Sequence, residues 1–112
     1  MENFEYLFPE ISFRYDYEPL RNRRFSTCVA VSSLAGELTC LDIQFYSRGV
    51  LLAEFDCLKQ RTLALQLSSL PLHIQDYFNL LSKQEYVEYR TGLLSAIRSE
   101  LAVQGVEFKG KK

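Results

Sequence analysis

From Glu37 to Leu58 apolar and polar residues alternate with period two on both sides of Ser47-Arg48-Gly49, the pattern of two half-buried strands joined by a tight turn. Leu41, Ile43 and Phe45 on the first arm share a face with Leu51, Ala53 and Phe55 on the second when Leu41 stands opposite Phe55 and Phe45 opposite Leu51. A one-residue slip would set Ile43 against Glu54 and turn an apolar set outward, so burial predicts this register. It also predicts Asp42 directly opposite Glu54.

The same periodicity continues on both sides of the hairpin. Glu10–Glu18 alternates Ile11, Phe13, Tyr15 and Tyr17 with Ser12, Arg14, Asp16 and Glu18 and reads as a first strand, broken by Pro19 and Arg21-Asn22-Arg23-Arg24. Phe25, Thr27, Val29 and Val31 then carry a second strand to about Ser33, and Leu34-Ala35-Gly36 turns it into the hairpin. After Lys59-Gln60-Arg61, the spacing of Leu63, Leu65 and Leu67 suggests a fifth strand, although so short an apolar run over Thr62–Ser68 also admits a helix.

Beyond residue 68 the period lengthens. Ser69 with Pro71 opens a helix to about Leu81, its apolar stripe formed by Leu70, Ile74, Tyr77, Phe78 and Leu81. Ser82-Lys83-Gln84-Glu85 matches a capping box and starts a second helix with a stripe of Tyr86, Tyr89, Leu93, Ile97 and Leu101, flanked by Leu94. Gly105 followed by Val106 predicts a Schellman ending. Short connections favour antiparallel neighbours. The expected fold is therefore α+β: an antiparallel meander of about five strands followed by two C-terminal helices packed on one sheet face. The whole of 1–112 is read as a single domain, with an apolar arm at 1–9, the sheet at 10–68, the helical pair at 69–105 and a tail at 106–112. Face matching then places Arg14, Cys28, Asp42, Glu54 and Gln66 in one row across the face without helices. Tyr46, Val50 and Leu52 form an apolar spot beside that row, on a face unusually rich in small and apolar residues.

Composition narrows the function more by exclusion than by indication. With 47% hydrophobic and 24% charged residues and a formal charge of -1, nothing draws the chain in bulk to nucleic acid or anionic lipid. No apolar run reaches membrane-spanning length, and Met1-Glu2-Asn3-Phe4-Glu5 lacks the features of a secretory signal, so the expected location is cytoplasmic. Cys28, Cys40 and Cys57, an odd number within strand-like runs, suit a reducing compartment. His73 is the only histidine and has no ligand partner at metal spacing, and the chain carries neither Gly-x-Ser-x-Gly, nor a glycine-rich phosphate loop, nor Cys-x-x-Cys. Neither a cofactor nor a metal is expected.

Three functional readings follow, in descending order. The first is a non-enzymatic protein-interaction module, such as an adaptor, inhibitor or regulatory subunit. It binds a partner protein or its own copy, as a homodimer, through the open sheet face at Tyr46, Val50 and Leu52. The second is a nucleotide or nucleic-acid binder in which Arg21, Arg23 and Arg24 grip phosphate bidentately. The third is a hydrolase-type enzyme built on Asp42 and Glu54, whose mutual repulsion across the strands would raise one pKa. Together with Asp42 and Gly49, the arginine loop resembles the PilZ family of cyclic-dinucleotide receptors, whose arginine-rich stretch precedes a strand and whose Asp-x-Ser-x-x-Gly motif follows. The resemblance implies phosphate contacts from the loop. The chain departs from that pattern in three ways and is not assigned to the family: Asp42-Ile43-Gln44 lacks the serine, Gly49 comes two residues late, and the helical second half leaves too few strands for that barrel.

Overall fold

A computed structural model of the chain describes residues 10–22 and 24–110. The expected arm at 1–9, Arg23 of the basic loop and the end of the tail at 111–112 lie outside the described residues. Four strands, β1 (Glu10–Tyr15), β2 (Phe25–Leu34), β3 (Glu37–Ser47) and β4 (Val50–Asp56), form one antiparallel sheet in the order β1-β2-β3-β4. A short helix α1 (Glu18–Arg21) separates β1 from β2, and α2 (Cys57–Gln60) follows β4. The chain then runs through a 3-10 turn (Leu67–Ser69) to α3 (Leu72–Asn79) and α4 (Lys83–Gln104). The fold is α+β.

β1 stops at Tyr15, three residues short of the expected end, because Pro19 lies in the first turn of α1 and the chain coils there to bury Leu20. The fifth strand does not form. Asp56 ends β4 as the cap of α2, its Oδ1 accepting from the backbone N–H groups of Leu58 and Lys59 at 3.0 Å each. Arg61, in the left-handed region at φ 58°, closes that helix. Cys57 is thus a buried helical residue rather than a strand residue. Leu63, Leu65 and Leu67 still pack on the core, but outside the hydrogen-bonded ladder. Neither reading of Thr62–Ser68 fits, because alternate apolar side chains report burial and not backbone pairing.

The hairpin forms, but in a different register. Ile43 pairs with Phe55, Gln44 with Glu54 and Phe45 with Ala53. The ladder then shifts, so that Tyr46 pairs with Leu51 and Ser47 with Val50. Leu52 is the surplus residue of a β-bulge. The two-residue turn, with Ser47 opposite Val50, and the bulge together overturn the expected opposition of Phe45 and Leu51: Leu51 is left 43% exposed, whereas Leu52 packs partly against the core.

α3 is capped by Pro71 rather than Ser69, which instead joins the 3-10 turn through its N–H to the Gln66 carbonyl. α4 has the predicted ends. Glu85 N–H donates to Ser82 Oγ at 3.1 Å while Ser82 N–H donates to Glu85 Oε1 at 2.8 Å. At the other end Gly105, at φ 69°, lets Val106 N–H reach the Leu101 carbonyl at 3.1 Å.

Buried residues of the sheet and helices form a single cluster. Phe25 stacks on Tyr77 with ring centroids 4.7 Å apart and meets Phe78 edge-on at 5.7 Å, and Phe78 also reaches Phe45 and Tyr89. Tyr89 is fully buried, and its hydroxyl shares a 2.7 Å hydrogen bond with Thr27 Oγ1, a buried polar group of β2. Two substitutions test this packing. Phe55→Ala is expected to cost about 3–5 kcal/mol in chemical denaturation, as truncation of a buried Phe does; a loss under about 1 kcal/mol would contradict the pairing of Ile43 with Phe55. Gly92→Ala gains helix propensity worth about 1 kcal/mol, but the new methyl would collide with the Tyr15 hydroxyl. The thermal midpoint should therefore fall, and fall less in a Tyr15→Phe background. A rise in both backgrounds would show that Tyr15 does not lie across α4.

Candidate anion-binding groove

Side chains of a strand alternate between faces, so the burial of Phe25, Thr27 and Val29 on one face of β2 sends Ser26 and Cys28 to the other. Cys28 stands between Arg14 on β1 and Gln44 on β3, and Ser26 stands opposite Tyr46. At the hairpin end of this face Arg14, Arg21, Arg24, Phe25, Ser26, Cys28, Tyr46, Arg48 and Gly49 line a groove of about 440 Å³. Four guanidiniums border it, and none of the lining side chains is a carboxylate.

Each arginine is delivered by a different local device. Arg14 rides on β1, where its Nε pairs with Asp16 Oδ1 at 2.8 Å. Arg21 ends α1, and Arg24 lies in the following turn at φ 57°. Arg48 occupies the first central position of the β3–β4 turn at φ 51°, with Gly49 at φ 79° beside it, the two left-handed residues of a type I′ hairpin. Among the described residues, Arg21, Arg24 and Arg48 have no carboxylate partner. All five cations before Lys59 are arginines, the cation whose planar fork matches phosphate and carboxylate oxygens.

The structure therefore gathers part of the predicted anion-binding set, Arg21 and Arg24, and adds Arg14 and Arg48, which sequence reading did not connect to it. The available signals were the short distance of Arg14 from the loop through its pairing with Cys28, which face matching did predict, and the place of Arg48 in the turn that returns the hairpin to the same end of the sheet.

Tyr46, Val50 and Leu52 do not come together on one face. Tyr46 is half-buried, its hydroxyl donating to Gln44 Oε1 at 3.4 Å, and its cross-strand neighbour is Leu51. Val50, 62% exposed, falls instead in the row of Phe25 and Ser47. Leu52, in the bulge, packs partly on the core. The small apolar feature beside the groove is thus Tyr46 with Leu51.

Asp42 and Glu54 do not oppose each other either, because the register sets Asp42 between Ala30 and Asp56 and sets Glu54 against Gln44. Gln44 Nε2 donates to Glu54 Oε2 at 3.3 Å, and Asp42 Oδ2 accepts from Cys40 Sγ at 3.3 Å. Asp56, the carboxylate that does face Asp42, is engaged as the cap of α2. Burial, with smaller contributions from Asp42 and Asp56, pushes the Cys57 thiol up to about 12, and burial likewise raises Cys28. These cysteines are held as thiols, the weakly nucleophilic form. His73 is exposed in the first turn of α3. No group of three or more His, Cys, Asp or Glu side chains among the described residues has the geometry to hold a metal ion, and no helix there is long and apolar enough to cross a membrane.

Arg48 occupies a backbone conformation that costs a side-chain-bearing residue about 1 kcal/mol and that Asn adopts more readily. Arg48→Asn is expected to stabilise the fold by about 0.5–1 kcal/mol in urea titration. A destabilisation would mean that the arginine side chain itself holds the turn. Comparison with protein-family models, with curated proteins and with solved structures finds no match to this chain.

Proposed function

We propose that the chain is a small non-enzymatic binding module that engages an acidic segment of a protein partner through the arginine groove at the hairpin end of the sheet. The observation that carries this reading is the convergence of Arg14, Arg21, Arg24 and Arg48 on one groove in which, among the described residues, only Arg14 is paired with a carboxylate. A chain with a formal charge of -1 keeps like charges so close when an anion completes them, and complementary charge sets the partner and speeds encounter. Tyr46 and Leu51 supply an adjoining apolar contact of the kind that anchors an interface.

The reading takes α3 and α4 to cover one sheet face and leave the groove's face open. The ring contact of Phe78 with Phe45 and the hydrogen bond of Tyr89 with Thr27 support that arrangement. Three free cysteines suit work in a reducing compartment such as the cytoplasm.

An array of acidic, neutral and basic peptides, each with and without apolar residues, tests the assignment by fluorescence anisotropy. Acidic peptides with an apolar residue should bind best, and binding should weaken as salt screens the exposed arginines. The double change Arg21→Glu and Arg48→Glu should weaken it by about tenfold or more, since each charged hydrogen bond contributes about 1.5–3 kcal/mol. Equal binding of the three peptide classes, or no response to the double change, would sink the reading. Light scattering distinguishes self-association: a dimer that the same double change dissociates would make a second copy the partner.

A further inference from the structure

We propose that the groove is a receptor for a phosphorylated side chain of the partner polypeptide, with Arg21, Arg24 and Arg48 as the phosphate ligands. The inference rests on the binding-module reading above and narrows its acidic segment to one carrying a phosphate. A phosphorylated Ser, Thr or Tyr brings about -1.5 to -2 charges and three acceptor oxygens to a single point. A carboxylate brings one charge and two oxygens. With Arg14 tied to Asp16, three guanidiniums in the groove have no carboxylate partner among the described residues, and a phosphate, with its larger charge and third oxygen, matches three such forks better than a single carboxylate does. The Ser26 hydroxyl in the groove lining adds an uncharged donor.

Shape selects a side chain presented by a peptide over a free nucleotide. Small-molecule sites enclose about 70–90% of their ligand's surface. Here the walls supplied by Arg14, Arg21, Arg24, Arg48 and Gly49 are exposed, and the one aromatic surface in the lining that remains partly open is half-buried Tyr46. A base stacked there would stay largely wet. A peptide laid across the same face can lower a phosphate among the arginines while a neighbouring apolar residue rests on Tyr46 and Leu51, which lie directly across the strands from each other. Clusters of arginine serve this mode of recognition widely.

The test uses the intact chain and degenerate fluorescent peptide libraries centred on phosphoserine, phosphotyrosine, the corresponding unmodified residue, or Glu, with adenosine monophosphate and inorganic phosphate as competitors. At least one phosphorylated library should bind about tenfold more tightly than its unmodified and Glu counterparts. The preference should disappear in Arg21→Ala and in Arg48→Ala. Both residues are exposed, so circular dichroism should show both variants folded; Arg48→Lys, which keeps the charge but not the fork, should restore binding only in part. Equal binding of Glu and phosphorylated libraries would overturn the phosphate assignment and leave the acidic-segment reading standing. Failure of every acidic library would remove both. Displacement by adenosine monophosphate at concentrations well below those needed for inorganic phosphate would overturn the proposal in favour of a nucleotide site.

Discussion

The β3–β4 ladder carries one more residue on β4 than on β3, and the surplus, Leu52, determines what each face of the sheet presents. Below it, Ile43 meets Phe55 and Phe45 meets Ala53, so the four residues share the core face. Above it, Leu51 moves from that face to stand across from Tyr46. A regular ladder in the expected register would have set Leu51 against Phe45 in the core and left Val50 and Leu52 beside Tyr46 as an aliphatic patch. The bulge breaks up that patch and leaves Tyr46 with Leu51 beside Ser26 and the arginines at the hairpin end of the sheet. Bulges sharpen the local twist and re-aim side chains, and here one residue of surplus separates Leu52 from Tyr46 and sets Leu51 across from it.

What the sequence made legible was the set of elements with strong local chemistry. β2, β3 and the long α4 were readable because alternation over ten or more residues, a reciprocal cap at Ser82 and Glu85, and a glycine exit at Gly105 all agree with the tertiary structure. The bulge was not legible because its cause is not periodic: Val50-Leu51-Leu52-Ala53 is apolar throughout, so no polar residue marks which position leaves the ladder. The fifth strand failed for a related reason. Leu63, Leu65 and Leu67 are spaced for a strand, but Asp56 caps a helical turn immediately before them, and their burial is achieved without backbone pairing. The error in register carried directly into chemistry, since the supposed carboxylate pair depended on it.

Net charge concealed the groove as well. A balance of 13 basic and 14 acidic residues argues against bulk attraction to any polyanion, yet it is an average, and a binding site depends on the local field within about one Debye length. Arg14, Arg21, Arg24 and Arg48 come from a strand, a helix end and two turns spread over 35 positions of the sequence; only the sheet order brings them to one end.

The floor of that groove is held from beneath. Ser26 and Cys28 alternate along β2 with Phe25, Thr27 and Val29, each of which is almost completely buried. Phe25 is packed among Phe45, Tyr77 and Phe78, and Thr27 is tied by its hydroxyl to Tyr89 of α4. A displacement of the groove floor would therefore have to open an aromatic cluster and break a buried hydrogen bond, whose unsatisfied partners would cost about 1–3 kcal/mol. The arginines above are long, exposed side chains whose ordering costs entropy when a ligand arrives. That division suits the recognition surface proposed above, in which a fixed strand would set the position of the site and the exposed guanidiniums would close on the charge.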